Sequence, residues 1–85
     1  MTRQKIEKIG RKVIADTLGI TVDECTDEMD IKDDLGADSL DAVEILMALE
    51  TQFDIAIQEG EADSVKTVRD YLDLLVKKVL PDGTI

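Results

Sequence analysis

The 85-residue sequence contains no histidine and no tryptophan, and it uses cysteine and proline once each. Each absence removes a class of chemistry. Without histidine or a second cysteine, no serine or cysteine triad of the usual kind can be assembled, and no zinc site built from His and Cys. The single Cys25 cannot close an internal disulfide; it reads as an ordinary loop or edge residue whose acidic neighbours Asp23, Glu24 and Asp27 disfavour the thiolate. Aromatic residues are limited to Phe53 and Tyr71. The longest uninterrupted apolar run, Ile45 to Leu49, is five residues, against about 20 needed to span a bilayer. The start Met1-Thr2-Arg3-Gln4-Lys5-Ile6 has no apolar signal core. A cytoplasmic protein with no stable membrane insertion is expected.

Basic residues are scarce where acids are dense. Residues 23 to 63 hold fifteen acids and only Lys32 as a base, while Arg3, Lys5, Lys8, Arg11 and Lys12 sit near the N-terminus. The formal net charge is −10, so a nucleic-acid partner is disfavoured, because phosphate binding needs a cationic surface. Proteins with Lys/Arg patches are the complementary partners. A solvated acidic face that only keeps the chain soluble is the plainer explanation of the same charge. Acids alone do not make a catalyst: a small bundle with its carboxylates outside has no burial to raise the pKa of a general acid, and no catalytic residue is expected. No metal site is expected either. Placing Gly36 at the sixth position of a calcium-binding EF-hand loop puts Ile31 where the first aspartate belongs.

What is present is helical periodicity. With 44% hydrophobic and 35% charged residues, the chain has the composition of one folded domain spanning residues 1–85, with a flexible tail at about 81–85. Ile6, Ile9, Val13, Ile14 and Leu18 recur at three- and four-residue spacing, giving a helix over 3–18 capped by Thr2 and ended by Gly19. Ile20 to Leu35 has no sustained period and reads as a long ordered loop pinned by Ile20, Val22, Met29, Ile31 and Leu35. A second helix runs over about 39–52, followed by a short extended connector and one or two weak turns over 59–64, weakened by Gly60. Thr67 with Asp70 opens the last helix, whose stripe is Val68, Tyr71, Leu72, Leu75, Val76 and Val79; Pro81-Asp82-Gly83 stops it. The expected fold is all-α: a four-helix bundle of three longer helices and one short helix, with a long loop between the first and second.

The second helix has one apolar stripe too many. Taking about 100° per residue with Leu40 as zero, Ala42, Ile45, Leu46, Leu49 and Phe53 lie between about 140° and 240° and face the core. Leu40, Val43 and Met47 lie nearly opposite, bordered by Asp41, Glu44 and Glu50. Just before them, Gly36 permits a sharp turn, and Asp38 with Asp41 forms a capping pattern at the helix start. An isolated Asp-Ser-Leu at such a place is ordinarily a cap or first-turn serine. The full run Asp34-Leu35-Gly36-Ala37-Asp38-Ser39-Leu40-Asp41-Ala42-Val43-Glu44-Ile45-Leu46-Met47-Ala48-Leu49-Glu50 is far longer, and it resembles the modification site of the acyl carrier protein family. The resemblance continues through Phe53-Asp54 and residues 57–65 to Lys66-Thr67-Val68 and, more loosely, over the first helix.

The resemblance implies that Ser39 carries a covalent 4′-phosphopantetheine arm, derived from coenzyme A, whose thiol holds acyl groups as thioesters. It implies a monomeric carrier serving a phosphopantetheinyl transferase and acyl-processing enzymes of fatty acid or related polyketide and lipid synthesis, through basic docking patches. Its recognition face would be Asp38, Leu40, Asp41, Val43, Glu44, Met47 and Glu50, and an acyl chain folded between the helices would be lined by Ile45, Leu49, Ala62, Val65 and Leu72. An aminoacyl or peptidyl carrier is an alternative, against which Gly-Ala-Asp-Ser and the acidic helix argue; an acidic adaptor with the same fold is another. The chain departs from the fatty-acid-type pattern at Gln58, where proline is usual, at Gly60 in the short helix, and at Ile31, where an aromatic is common. These departures, with Asp70-Tyr71 in the last helix, leave a specialised carrier of a dedicated pathway open beside general fatty acid synthesis, which the resemblance favours.

Overall fold

The computed structural model describes residues 1–80. Expectations for residues 81–85, the helix stop and the flexible tail, lie outside the described residues. Within them the chain is all-helical: α1 spans Arg3–Leu18, α2 Ser39–Phe53 and α3 Val68–Val79, with 3-10 turns at Val22–Glu24 and Glu59–Ala62. The expected fourth, short helix is therefore a single 3-10 turn of four residues. Gly60 lies inside it, and the segment has too few residues to repay helix nucleation.

Helix ends follow the residues that can cap them. The Thr2 hydroxyl accepts the Lys5 N–H at 3.2 Å, and Gly19 closes α1 in the left-handed conformation at φ 71°. At α3 the Thr67 hydroxyl accepts the Asp70 N–H while the Asp70 carboxylate accepts the Thr67 N–H, a reciprocal capping box. The 3-10 turn after α1 has the same device in Thr21 and Glu24.

Helix α1 is the element on which both α2 and α3 pack. Its Ile6, Ile14 and Ala15 are fully buried, together with Ile45 and Leu49 of α2 and Val68, Leu72 and Leu75 of α3. Each large aliphatic side chain so placed contributes about 1.5–3 kcal/mol. Ala42, Leu46 and Phe53, expected on the same side of α2, are only partly buried. Leucine side chains of α3 fill the space over Gly10 of α1, where an added Cβ would lie 2.6 Å from Cδ2 of Leu75 and 3.0 Å from Cδ2 of Leu72.

The long loop is more ordered than its lack of period suggests, because its backbone bonds run to a distant segment. Val68 N–H donates to Met29 O at 3.0 Å, Ile31 N–H to Lys66 O at 2.9 Å and Arg69 N–H to Asp27 O at 3.0 Å. An isolated antiparallel bridge joins Asp30 and Thr67. One expectation for this loop is corrected: Val22 is 44% exposed and pins nothing, whereas Cys25, an ordinary loop residue by sequence, is fully buried. The 3-10 turn and its Thr21–Glu24 cap direct Val22 outward and bring Cys25 onto the core, where the Arg11 guanidinium donates to its carbonyl oxygen at 2.6 Å. Burial is the main cause that pushes the Cys25 thiol up, away from the reactive thiolate.

An ionic network ties the same parts together. The Arg69 guanidinium donates to both carboxylate oxygens of Glu7 at 2.9 Å, to Asp27 at 2.9 Å and to Asp73 at 3.0 Å, and Arg11 also donates to Asp27. Glu7 and Arg11 are on α1, Asp27 on the loop and Arg69 on α3, so one cation spans the three.

Two predictions follow from this packing. Gly10→Val places new atoms against two fully buried leucines and is expected to lower the unfolding free energy by about 1–3 kcal/mol, measurable by urea denaturation; undiminished stability would contradict the close α1–α3 approach. Glu7 is held below the ordinary carboxylate range chiefly by its hydrogen bond to Arg69, and Asp27 chiefly by its hydrogen bond to Arg11. Their contribution is therefore complete above the unfolded carboxylate pKa, about 4, and is lost as pH falls below it through the lowered folded values. Thermal melts from pH 7 to pH 3 are expected to show Arg69→Met less stable by roughly 1–2 kcal/mol at neutral pH, with the difference from the parent chain shrinking below about pH 4. A pH-independent difference would mean that Arg69 acts through packing instead.

Candidate functional site

The turn before α2 is built on the main chain of Ile31. Its N–H is taken by Lys66 O, and its carbonyl accepts the Ala37 N–H at 3.0 Å, while its side chain is buried. Gly36 stands between in the left-handed region at φ 75°, a conformation that costs other residues about 1–2 kcal/mol. Asp34 supports the turn by accepting the Asp30 N–H at 2.7 Å, and Asp30 in turn accepts the N–H groups of Lys32 and Asp33 at 2.9 Å. The place where an aromatic is common in the family is thus filled by a buried aliphatic residue with both backbone groups committed.

Asp38 is the N-cap of α2. Its carboxylate accepts the Asp41 N–H at 2.9 Å, and the Asp41 carboxylate accepts the Asp38 N–H at 3.1 Å. Ser39 is the first helical residue and is exposed. Its hydroxyl makes no hydrogen bond among the described residues, because the capping that a serine would ordinarily perform here is done by its neighbour. The exposed hydroxyl at the start of a 15-residue helix fits attachment of a phosphodiester: the atom is accessible, and the helix end favours an anion.

The face beyond Ser39 is uncovered, as its periodicity indicates. Leu40, Val43 and Met47 are 65%, 50% and 59% exposed. The four acids around them have different duties. Asp38 and Asp41 close the helix start, and Glu50 accepts the Ile57 N–H at 2.8 Å, holding the connector after α2. Glu44 is exposed and takes part in no hydrogen bond or ion pair among the described residues. The aspartate beside the serine therefore has an internal structural reason, the capping role that its spacing to Asp41 indicates.

The residues expected to line an acyl-chain cavity are not gathered around one opening. Ile45, Leu49 and Leu72 are fully buried in the packed core, and Ala62 and Val65 are partly buried near the second 3-10 turn. A cavity of about 220 Å³ takes only Val65 from that set; its other walls are Ile31, Tyr71, Asp30, Lys32, Asp33, Asp63 and Lys66. The periodicity places Tyr71 in the apolar stripe of α3 and says nothing of a cavity. The polar tip of Tyr71 was the one available signal that it borders something other than core.

Comparisons with known proteins agree with this geometry. Residues 11–75 match the family described as the phosphopantetheine attachment site. The chain is 49% identical over 65 residues to an acyl carrier protein from Syntrophobacter fumaroxidans, covering 76% of this chain and 80% of that one. It is 40% identical over 78 residues to one from Chlorobium phaeobacteroides, covering 92% and 100%. A solved acyl carrier protein structure from Enterococcus faecalis superposes with a TM-score of 0.73 at 35% identity, covering 92% of this chain and 99% of its own. An all-helical frame with a free serine at a capped helix start, and sequence likeness across most of the chain, give one conclusion: this chain belongs to the acyl carrier protein family.

Proposed function

We propose that Ser39 is the attachment residue and that the chain, one carrier domain over residues 1–85, serves acyl-processing enzymes in the cytoplasm as a monomer. The observation that carries this reading is the uncommitted Ser39 hydroxyl beside a capping aspartate. Ser39 Oγ attacks the phosphorus of coenzyme A that bears the pantetheine. The P–O–P bond breaks, the adenosine bisphosphate leaves with the bond's electrons, and the serine proton passes to a base of the transferase. Bound there, the arm supplies a thiol that carries acyl groups as thioesters. The chain performs no catalysis of its own in this role.

The residues around Ser39 then divide the work. Leu40, Val43 and Met47 form the apolar centre of the docking face, and Glu44 is the acid best placed to meet a basic patch. Asp38, Asp41 and Glu50 add to the same field while holding the helix ends. Rim ion pairs of this kind contribute roughly 0–1 kcal/mol each, so docking is fast and reversible, which suits a carrier that must leave each enzyme. Ile45, Leu49, Ala62, Val65 and Leu72 can admit cargo only if α2 and α3 separate. These two helices approach one another less closely than each approaches α1. Fatty acid synthesis or a related polyketide or lipid pathway is the context we assign.

Incubation with coenzyme A and a broad-specificity phosphopantetheinyl transferase is expected to add one arm to the intact mass. Ser39→Ala is expected to abolish the addition while leaving the helical circular dichroism and melting temperature unchanged, since the cap belongs to Asp38. An arm still added to Ser39→Ala would refute the assignment. Glu44→Lys is expected to slow transferase turnover several-fold at low salt, with the difference fading as salt screens the face and with no change in stability. Kinetics indifferent to both charge and salt would remove Glu44 from the docking face.

A further inference from the structure

Helix α1 carries its charges against its own dipole. Its first turn holds Arg3 and Lys5 and no acid, and its last turn holds no base while Asp16 lies near that end. A helix is stabilised by the reverse, acids at its start and bases at its end. Arg3 is accounted for by its ion pairs with Glu7 and Asp73, and Lys12 pairs with Asp16. Lys5 and Lys8 are exposed, and their ammonium groups make no hydrogen bond or ion pair among the described residues. Solubility does not call for them either, since the formal net charge is already −10.

These lysines share one side of the helix. Taking about 100° per residue with Ile6 as zero, the buried Ile6, Gly10 and Ile14 lie between about 0° and 80°, and the exposed Lys5, Lys8 and Lys12 between about 200° and 260°. Helix α2 packs on α1 and turns Leu40, Val43 and Met47 outward, so the basic stripe and the proposed docking face look to different sides of the molecule. Helices packed about 8–10 Å apart, each about 10–12 Å wide with its side chains, separate opposed outer faces by roughly 20 Å. That is more than two Debye lengths at physiological ionic strength, about 8 Å each. The lysines therefore leave the attraction at α2 largely untouched while deciding what settles on α1.

We propose, resting on the carrier reading of Ser39, that Lys5, Lys8 and Lys12 form an excluding face, which repels the basic docking patches of partner enzymes from α1 and confines encounters to the Ser39 side. Without it, an overall negative charge would also draw basic patches onto α1, where an enzyme's active site is turned away from Ser39. Like charges set opposite one another suppress such wrong pairings. The placement against the dipole is the cost in helix stability of keeping the cations there.

The full chain is first shown to take one arm at Ser39 from coenzyme A. Its initial-rate kinetics with the transferase are then compared with those of Lys5→Glu/Lys8→Glu at about 0.1 M salt, where the Debye length is about 10 Å. A transferase held on α1 is unproductive. At low carrier concentration most of the enzyme is free and kcat/KM is untouched; at saturation the enzyme divides between two complexes, so kcat and KM fall by the same factor. The double variant is expected to lower both about two- to fivefold, with the effect shrinking as added salt screens the new acids. Lys5→Gln/Lys8→Gln is expected to change them less, in the same direction. The melting temperature of the glutamate variant is expected to be no lower than that of the parent chain, because acids suit the start of α1. A raised kcat/KM with kcat unchanged would mean that net charge alone governs docking, a lowered kcat/KM that the lysines themselves touch the partner, and unchanged constants that the stripe is inert. Each would overturn this inference alone, as would a lowered melting temperature, which would give the lysines a role in the fold. Failure of the parent chain to take an arm at Ser39 would overturn the carrier reading and this inference with it.

Discussion

Ile31 is the residue through which the rest of the molecule acts on the serine. Its side chain is buried, its N–H is fixed by the start of α3, and its carbonyl fixes the turn that opens α2. A loop of this length ordinarily leaves its backbone to water and moves with it. Here the backbone groups at 27, 29 and 31 are taken by residues 66, 68 and 69. The position of Ser39 is thereby referred to α3, and through the Arg69 network to α1. Under the proposed attachment at Ser39, such a fixed origin would let partners find the side chain repeatedly, with the flexible reach left to the group it carries.

Helix α2 serves two surfaces with one period. Ile45 and Leu49 are fully buried against α1, and Leu40, Val43 and Met47 face outward. The outer stripe costs solubility unless something covers it from time to time, and the surrounding carboxylates offset that cost. They also share in the helix itself, since three of the four close its start or hold the connector beyond its end. On the docking face proposed above, a charge that both shapes the field and secures the backbone could not be removed to weaken docking alone; Glu44, with no hydrogen bond or ion pair among the described residues, is the exception.

Local chemistry was legible in the sequence; assembly was less so. Both ends of α1 and the start of α3 followed from Thr2, Gly19, Thr67 and Asp70, whose capping bonds reach no more than four residues along the chain. The second apolar stripe of α2 and the unusual serine were visible from periodicity and from the long acyl-carrier-like run. Val22 was read as an anchor and is exposed, and the burial of Cys25 left no trace in the pattern, because both are decided by a 3-10 turn too short to impose a period. Gly10 gave no sign of its role, since a glycine inside a helical pattern looks like a weak point until a neighbouring helix is placed against it. The pairing of residues 27–31 with 66–69 is a long-range event with no local signature. For the same reason the cavity bordered by Tyr71 could not be read from α3 alone.

The capping of α2 by Asp38 has a thermodynamic corollary. Since the Ser39 oxygen contributes no bond to the native state, the attachment proposed there would break no native contact and would add only the favourable interaction of an anion with the helix end. The unmodified chain is therefore no less complete as a folded object than the modified one. Had serine been the cap, every attachment would have cost about 1 kcal/mol of helix stability, and each change of state would have been felt by the whole molecule.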